Sequence, residues 1–239
     1  TTNVTVTATN DCGTTSCQFA LTVVDNQPPQ IFCNSMSIPI GADGTASITP
    51  SSIYGFGFDN CGTVTLVSAP PNTLAGSDVG PSTQVTPTAN DGNGNTGTCL
   101  ASIAVLDETP PTALCKSVTA SLDANGTATI TPAQVDNGSF DNCGIVNRYL
   151  SNSTFGCGNI GQSNLVFLYA QDQTGFVGFC SATVTVLDNT PPSAKCKDIT
   201  LELDEDGFAS ITAADIDGGT WDACGLDSLS ASLTGFYCD

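Results

Sequence analysis

The chain has 239 residues, with 23 acidic side chains against four basic ones, no histidine and a net charge of −19. Such a charge repels phosphate backbones and anionic lipid heads, which makes nucleic acid and anionic membrane surfaces poor candidate partners and cations the natural ones. Apolar residues make up 40%, enough to bury a core, so this is not a disordered tail.

Twelve cysteines point to an oxidising, extracellular compartment where disulfides persist. The lack of histidine removes mixed Cys/His zinc sites, and no CxxC pair occurs. No apolar run reaches the roughly 20 residues of a membrane span. Export is implied although no signal peptide is present, so the true N-terminus is expected to lie upstream.

Read from the N-terminus, the chain repeats itself. VVDNQPPQIFC (23–33) returns as VLDETPPTALC (105–115) and VLDNTPPSAKC (186–196), so Cys33, Cys115 and Cys196 are 82 and 81 residues apart. GTASITP (44–50) returns as GTATITP (126–132) and GFASITA (207–213), and FDNCG (58–62) as FDNCG (140–144) and WDACG (221–225). Cys17, Cys99 and Cys180 form a fourth series in the same phase. The organisation is therefore the C-terminal part of one repeat (1–26), complete repeats at 27–108 and 109–189, and the N-terminal part of a further one (190–239).

Within a repeat the signals are strand and turn, with no sustained helical period. In repeat two, Thr-Ala-Thr-Ile-Thr (127–131) and Ala-Thr-Val-Thr-Val-Leu (182–187) alternate with period two and are rich in β-branched residues, and the repeat reads as strands over 117–122, 127–131, 145–150, 164–170 and 176–187. Asp-Ala-Asn-Gly (123–126) reads as a hairpin turn, and 133–142 as a polar loop. Six or seven short strands in some 80 residues fit an all-β fold, a tandem array of Ig-like antiparallel β-sandwiches stapled by disulfides. The Pro-Pro pairs between repeats fix φ and withhold N–H groups from the ladder, which ends one sheet and favours a semi-rigid rod.

The combination D-x-T-P-P-x-x-x-C, D-x-x-G-T-A-x-I-T-P, D-N-C-G and a Cys before V-T-V-x-D resembles the HYR-like and Ig-like repeats of large Bacteroidetes cell-surface adhesins, among them type IX-secreted gliding-motility adhesins. The resemblance spans the whole chain and implies a structural or adhesive role at the cell surface, as a rod or filament. Two alternatives remain: an array of ligand- or glycan-binding modules, and the passive stalk of a larger secreted enzyme. Expected partners are neighbouring repeats, other copies in a fibre and an unidentified surface ligand, without membrane insertion.

Cysteine placement gives specific expectations. First and last strands often adjoin in sandwiches, so Cys115 is expected to bond Cys180, and Cys33 to bond Cys99, each worth about 4 kcal/mol by loop entropy. Cys143–Cys157 and Cys224–Cys238 are expected as short local bridges, about 3 kcal/mol each. In repeat one the residue matching Cys157 is Ala75. Cys17 and Cys196 would find partners outside 1–239. Cys12 and Cys61 are left over, with three readings: Cys12–Cys17 closure, free thiols, or a bridge between repeats or chains.

Aspartates also recur: Asp25, Asp107 and Asp188 at the linkers, Asp59, Asp141 and Asp222 in the DNC loops, and Asp91 and Asp172 in the final turn. In an up-down sandwich these three places meet at one end, and two or three carboxylates with Asn and carbonyl oxygens suit Ca²⁺. The same residues are ordinary Asx-turn formers that need no metal. No catalytic residue is expected: histidine is absent, the serines lack a base, and the carboxylates repeat with the fold rather than gathering once in a cleft. Phe58, Phe140 and Trp221 share one position, expected as a plug beneath the DNC loop rather than a sugar-stacking platform.

Overall fold

A computed structural model describes residues 1–238. The chain divides into two compact units, Thr1–Glu108 and Thr109–Asp239. Both are all-β and built from Ig-like sandwich repeats, and among the described residues no helix is long and apolar enough to cross a membrane.

The second unit holds the more regular sandwich. One sheet has four strands in the order Val118–Ser121, Val177–Leu187, Asn164–Asp172, Ile145–Leu150. Thr127–Thr129 pairs separately with Thr154–Gly156. The period-two pattern shows in Asn164–Asp172, where Val166, Leu168, Ala170 and Asp172 all point inward. Ala182, Val184 and Val186 answer from the neighbouring strand. Val135 and Phe155 close the core.

The sheet is not purely antiparallel as expected. Val118–Ser121 runs parallel to Val177–Leu187, pairing Val118 with Val184, and Met36–Pro39 does the same with Ala101–Leu106 in repeat one. Each of these two repeats thus pairs an early strand in parallel with its last strand.

The polar loop expected over 133–142 begins with a helical turn, Pro132–Val135. Pro132 supplies a preset φ at the first position, Gln134 Oε1 accepts the Thr131 N–H at 2.7 Å, and Val135 is fully buried. Four residues are too few to show a 3.6-residue period. Pro50–Ile53 and Ala213–Ile216 occupy the same place in the other repeats.

Repeat one is more broken. Where repeat two runs unbroken over Asn164–Asp172, repeat one is split into Gly80–Val85 and Thr88–Asn90. Pro87 stands where repeat two has Leu168, and without an N–H it cannot continue the ladder. Within residues 1–26, Thr2–Asn10 forms a hairpin with Gly13–Leu21, with Cys17 opposite Val6.

Each Pro-Pro segment packs onto a strand late in the repeat that it opens. A Cβ at Gly178 would overlap the carbonyl oxygen of Pro111, and one at Gly97 that of Pro29. These glycines hold the same repeat position, so close backbone approach fixes their identity.

Candidate functional site

Two sets of residues carry chemistry: the cysteines and the recurrent aspartates. Cys33 bonds Cys99 and Cys115 bonds Cys180, each pair with Cα atoms 5.8 Å apart. Cys115–Cys180 joins the start of its repeat to the last strand, and Cys33–Cys99 joins Gln30–Cys33 to the break just before the last strand, Ala101–Leu106.

The short bridges are corrected. Cys157 is bonded to Cys224, 67 residues on, rather than to Cys143, and Cys224 is therefore not bonded to Cys238. Ile145–Leu150 separates Cys143 from the loop of Cys157. Its six residues run about 20 Å, against the roughly 7 Å between Cα atoms that a disulfide tolerates. Cys143 and Cys157 thus lie at opposite ends of the sandwich. Cys157 opens a short 3₁₀ turn beside Gly126, close to Ala223 of the following repeat. Cys238 repeats that placement beside Gly207, and is exposed.

Cys12 and Cys17 are both exposed thiols and are not bonded to each other, so the expected local closure does not form. Cys12 sits in the hairpin turn, whereas Cys17 lies several residues along an extended strand, beyond disulfide reach. Cys61 and Cys196 are exposed thiols as well.

The aspartates behave first as turn formers. Asp59 Oδ1 accepts the Cys61 N–H at 2.9 Å, Asp141 Oδ2 the Cys143 N–H at 2.8 Å, and Asp222 Oδ1 the Cys224 N–H at 2.8 Å. Asp25 and Asp188 cap Gln27 and Thr190 in the same way. Asp107 is buried at the end of Ala101–Leu106.

In the first unit three of them meet. Asp25, Asp59 and Asp91 each place a carboxylate oxygen within 4.8 Å of the other two. Like charges at that spacing repel by about 3 kcal/mol per pair at an effective dielectric near 20. Asp91 is only 2% exposed. Burial works against its charge, but the Asn95 side chain and the N–H groups of Asn93 and Asn95 outweigh it and hold its pKa below the ordinary carboxylate value. It stays ionised.

Asp172, the matching residue of repeat two, is also 2% exposed. Its Oδ1 accepts the N–H groups of Thr174, Gly175 and Phe176 at 2.8–3.0 Å. Its Oδ2 is buried with no hydrogen-bond partner, and so is Asp141 Oδ1. In repeat one the Asn95 side chain donates to Asp91 Oδ2 at 2.6 Å; Phe176 holds that position in repeat two, and its side chain has no donor to give. In the front of the third repeat, Asp188 and Asp222 come together beside the bonded Cys224.

The shared aromatic position is a second correction. Phe58, Phe140 and Trp221 are 55%, 60% and 50% exposed, so none is a plug. Their backbones do the holding: Phe140 exchanges N–H···O bonds with Thr112, and Trp221 with Ser193, which turns the rings outward. A further aromatic row was not anticipated. Tyr149, Tyr169 and Phe179 stand opposite one another on three adjacent strands. Ring centroids are 4.9 and 6.1 Å apart. The period-two phase, outward where Val166 and Leu168 are inward, could have shown it.

No family model matches the chain, and no curated protein matches it. Solved structures do. A protocadherin gammaB7 EC3-6 cis-dimer is 14% identical over 86% of this chain, with TM-score 0.34, and the chain spans 62% of that structure. Sidekick-1 immunoglobulin domains 1–4 are 9% identical over 66% of this chain and 48% of that one, TM-score 0.34. An endo-fucoidan hydrolase of glycoside hydrolase family 107 is 13% identical over 79% of this chain and 34% of that one, TM-score 0.27. These are similarities of β-domain architecture and carry no function across.

Proposed function

We propose that this chain is part of a non-enzymatic, extracellular repeat array that serves as a semi-rigid stalk or filament at a cell surface, with adhesion as its purpose. The observation that carries the reading is the Cys157–Cys224 disulfide. The bridges Cys33–Cys99 and Cys115–Cys180 stabilise single sandwiches, but Cys157–Cys224 ties one repeat to the next. Freely swinging modules gain nothing from such a tie; an array that must hold its direction does. Disulfides persist outside reducing compartments, which supports the extracellular placement. The adhesive purpose follows from the motif resemblance to bacterial surface adhesins.

Small-angle scattering of the oxidised chain and of its Cys224→Ser variant tests the stalk. The variant is expected to sample a broader distribution of end-to-end distances. Superimposable profiles would remove the stiffening role.

A second reading, glycan binding, is favoured by the outward row of Tyr149, Tyr169 and Phe179, since flat aromatic faces stack on sugar rings. Tyr149 is 41% and Phe179 65% exposed. Glycan-array binding that disappears with Tyr169→Ala would support it.

A further inference from the structure

We infer that repeat two carries a site for a hard divalent cation of the calcium class, built on Asp141 Oδ1 and Asp172 Oδ2. The starting point is a polar atom without a partner. Asp172 continues the inward face of its strand after Val166, Leu168 and Ala170, so alternation forces its carboxylate into the protein. One oxygen is fully used by the turn that follows; the other is buried with nothing to hold it. A buried bare carboxylate oxygen is costly unless a cation or donor satisfies it.

Asp141 supplies the second ligand. Its Oδ2 accepts the N–H groups of Cys143 and Gly144, immediately before Ile145, and Ile145 is the residue paired with Asp172. Asp141 and Asp172 therefore lie at the same end of the same sheet, each with one carboxylate oxygen engaged by its own turn and one oxygen bare. Their counterparts in repeat one, Asp59 and Asp91, lie with carboxylate oxygens within 4.8 Å. There the Asn95 amide satisfies the buried oxygen of Asp91. With Phe176 at that position, repeat two replaces the amide donor by a metal.

The donor set selects the ion. Two carboxylate oxygens, completed by water and carbonyl oxygens, suit a hard cation with six to eight oxygen ligands, and no histidine is present anywhere in the chain to favour zinc. This site is independent of the stalk reading, since it concerns one sandwich.

Isothermal titration of the whole oxidised chain with Ca²⁺, Mg²⁺ and Zn²⁺, beside thermal unfolding in calcium and in chelator, tests it. Calcium is expected to bind and to raise the melting temperature. Asp172→Asn and Asp141→Asn are each expected to lower the calcium stoichiometry by one, while exposed Asp43→Asn leaves it unchanged. In chelator, Asp172→Asn is expected to melt at or above the parent, because an amide replaces a bare buried charge. If Asp172→Asn does not fold, as circular dichroism would show, Asp141→Asn decides alone. Absence of calcium binding, a response to zinc only, or an unchanged stoichiometry in the folded variants would overturn the site.

Discussion

Cys157 and Cys224 are bonded across 67 residues of sequence, with Cα atoms 5.1 Å apart, although Cys143 is much nearer to Cys157 along the chain. The strand Ile145–Leu150 explains the choice, because it carries the chain from one end of the sandwich to the other before Cys157 is reached. Proximity in sequence is here the opposite of proximity in space. The bridge lies where one repeat meets the next, and it also packs against the core of repeat two, since Cys157 and Cys224 both border that cluster.

Proteolysis under non-reducing conditions, followed by mass spectrometry, should therefore release one linked peptide pair containing Cys157 and Cys224. Removing the bridge with Cys224→Ser should cost up to about 4 kcal/mol by loop entropy, read as a lower denaturation midpoint with the Cys115–Cys180 peptide still intact. Recovery of a Cys143–Cys157 peptide would show that the chain traverses the sandwich differently.

Gly178→Ala should be destabilising by about 1–3 kcal/mol, the usual cost of overpacking, because its Cβ would collide with the carbonyl of Pro111. Gly158→Ala meets nothing within 4 Å and should be near neutral in the same urea titration. Equal effects at the two positions would mean that the Pro-Pro segment does not lie on the sheet.

Acid should weaken the second unit through Asp136. Burial raises its pKa, but hydrogen bonds from the Ser139 side chain and N–H, and the charge of Arg148, outweigh burial and hold it below the ordinary 3.8. Arg148 Nε lies 3.1 Å from Asp136 Oδ2 outside hydrogen-bond alignment, so this contact is an ion pair. A carboxyl with a depressed folded pKa contributes stability above its unfolded value and loses it as pH falls through the folded one. Denaturation midpoints should therefore hold down to about pH 4 and drop below it, with a shallower drop for Asp136→Asn. Parallel acid profiles for the two proteins would remove Asp136 from the account.

Tyr169→Ala should cost about 1 kcal/mol beyond its lost area, since Tyr149 and Tyr169 stack face to face at 4.9 Å. A double-mutant cycle with Tyr149→Ala isolates that coupling, and a coupling near zero would mean that the rings do not stack in solution.

Much of the architecture was legible from local chemistry. The strands Thr127–Thr129 and Val177–Leu187 announce themselves by β-branched alternation, and the turn at 123–126 by Asn-Gly. Cys115 precedes the first strand of its repeat and Cys180 lies in the last, so adjacency of those strands was enough to place them together. The helical turn Pro132–Val135 was not legible, being shorter than the period that would reveal it. The outward turn of Phe140 was missed because aromatic residues read as core, while here the backbone bridge to Thr112 settles which way the ring points.

What the sequence by itself determined is the periodic part: the repeat step, the period-two strands and the recurrence of the aspartates and cysteines. The strands depend on neighbours within one element, where backbone geometry leaves few choices. Only the tertiary structure decided that Cys157 reaches past its own repeat to Cys224, and that Asp172 keeps a buried oxygen without a donor while Asp91 does not. Both depend on which ends of separate strands come together, a matter of direction and length across the whole sandwich, and on one substitution, Asn95 against Phe176, whose meaning appears only when the turn is folded around the carboxylate.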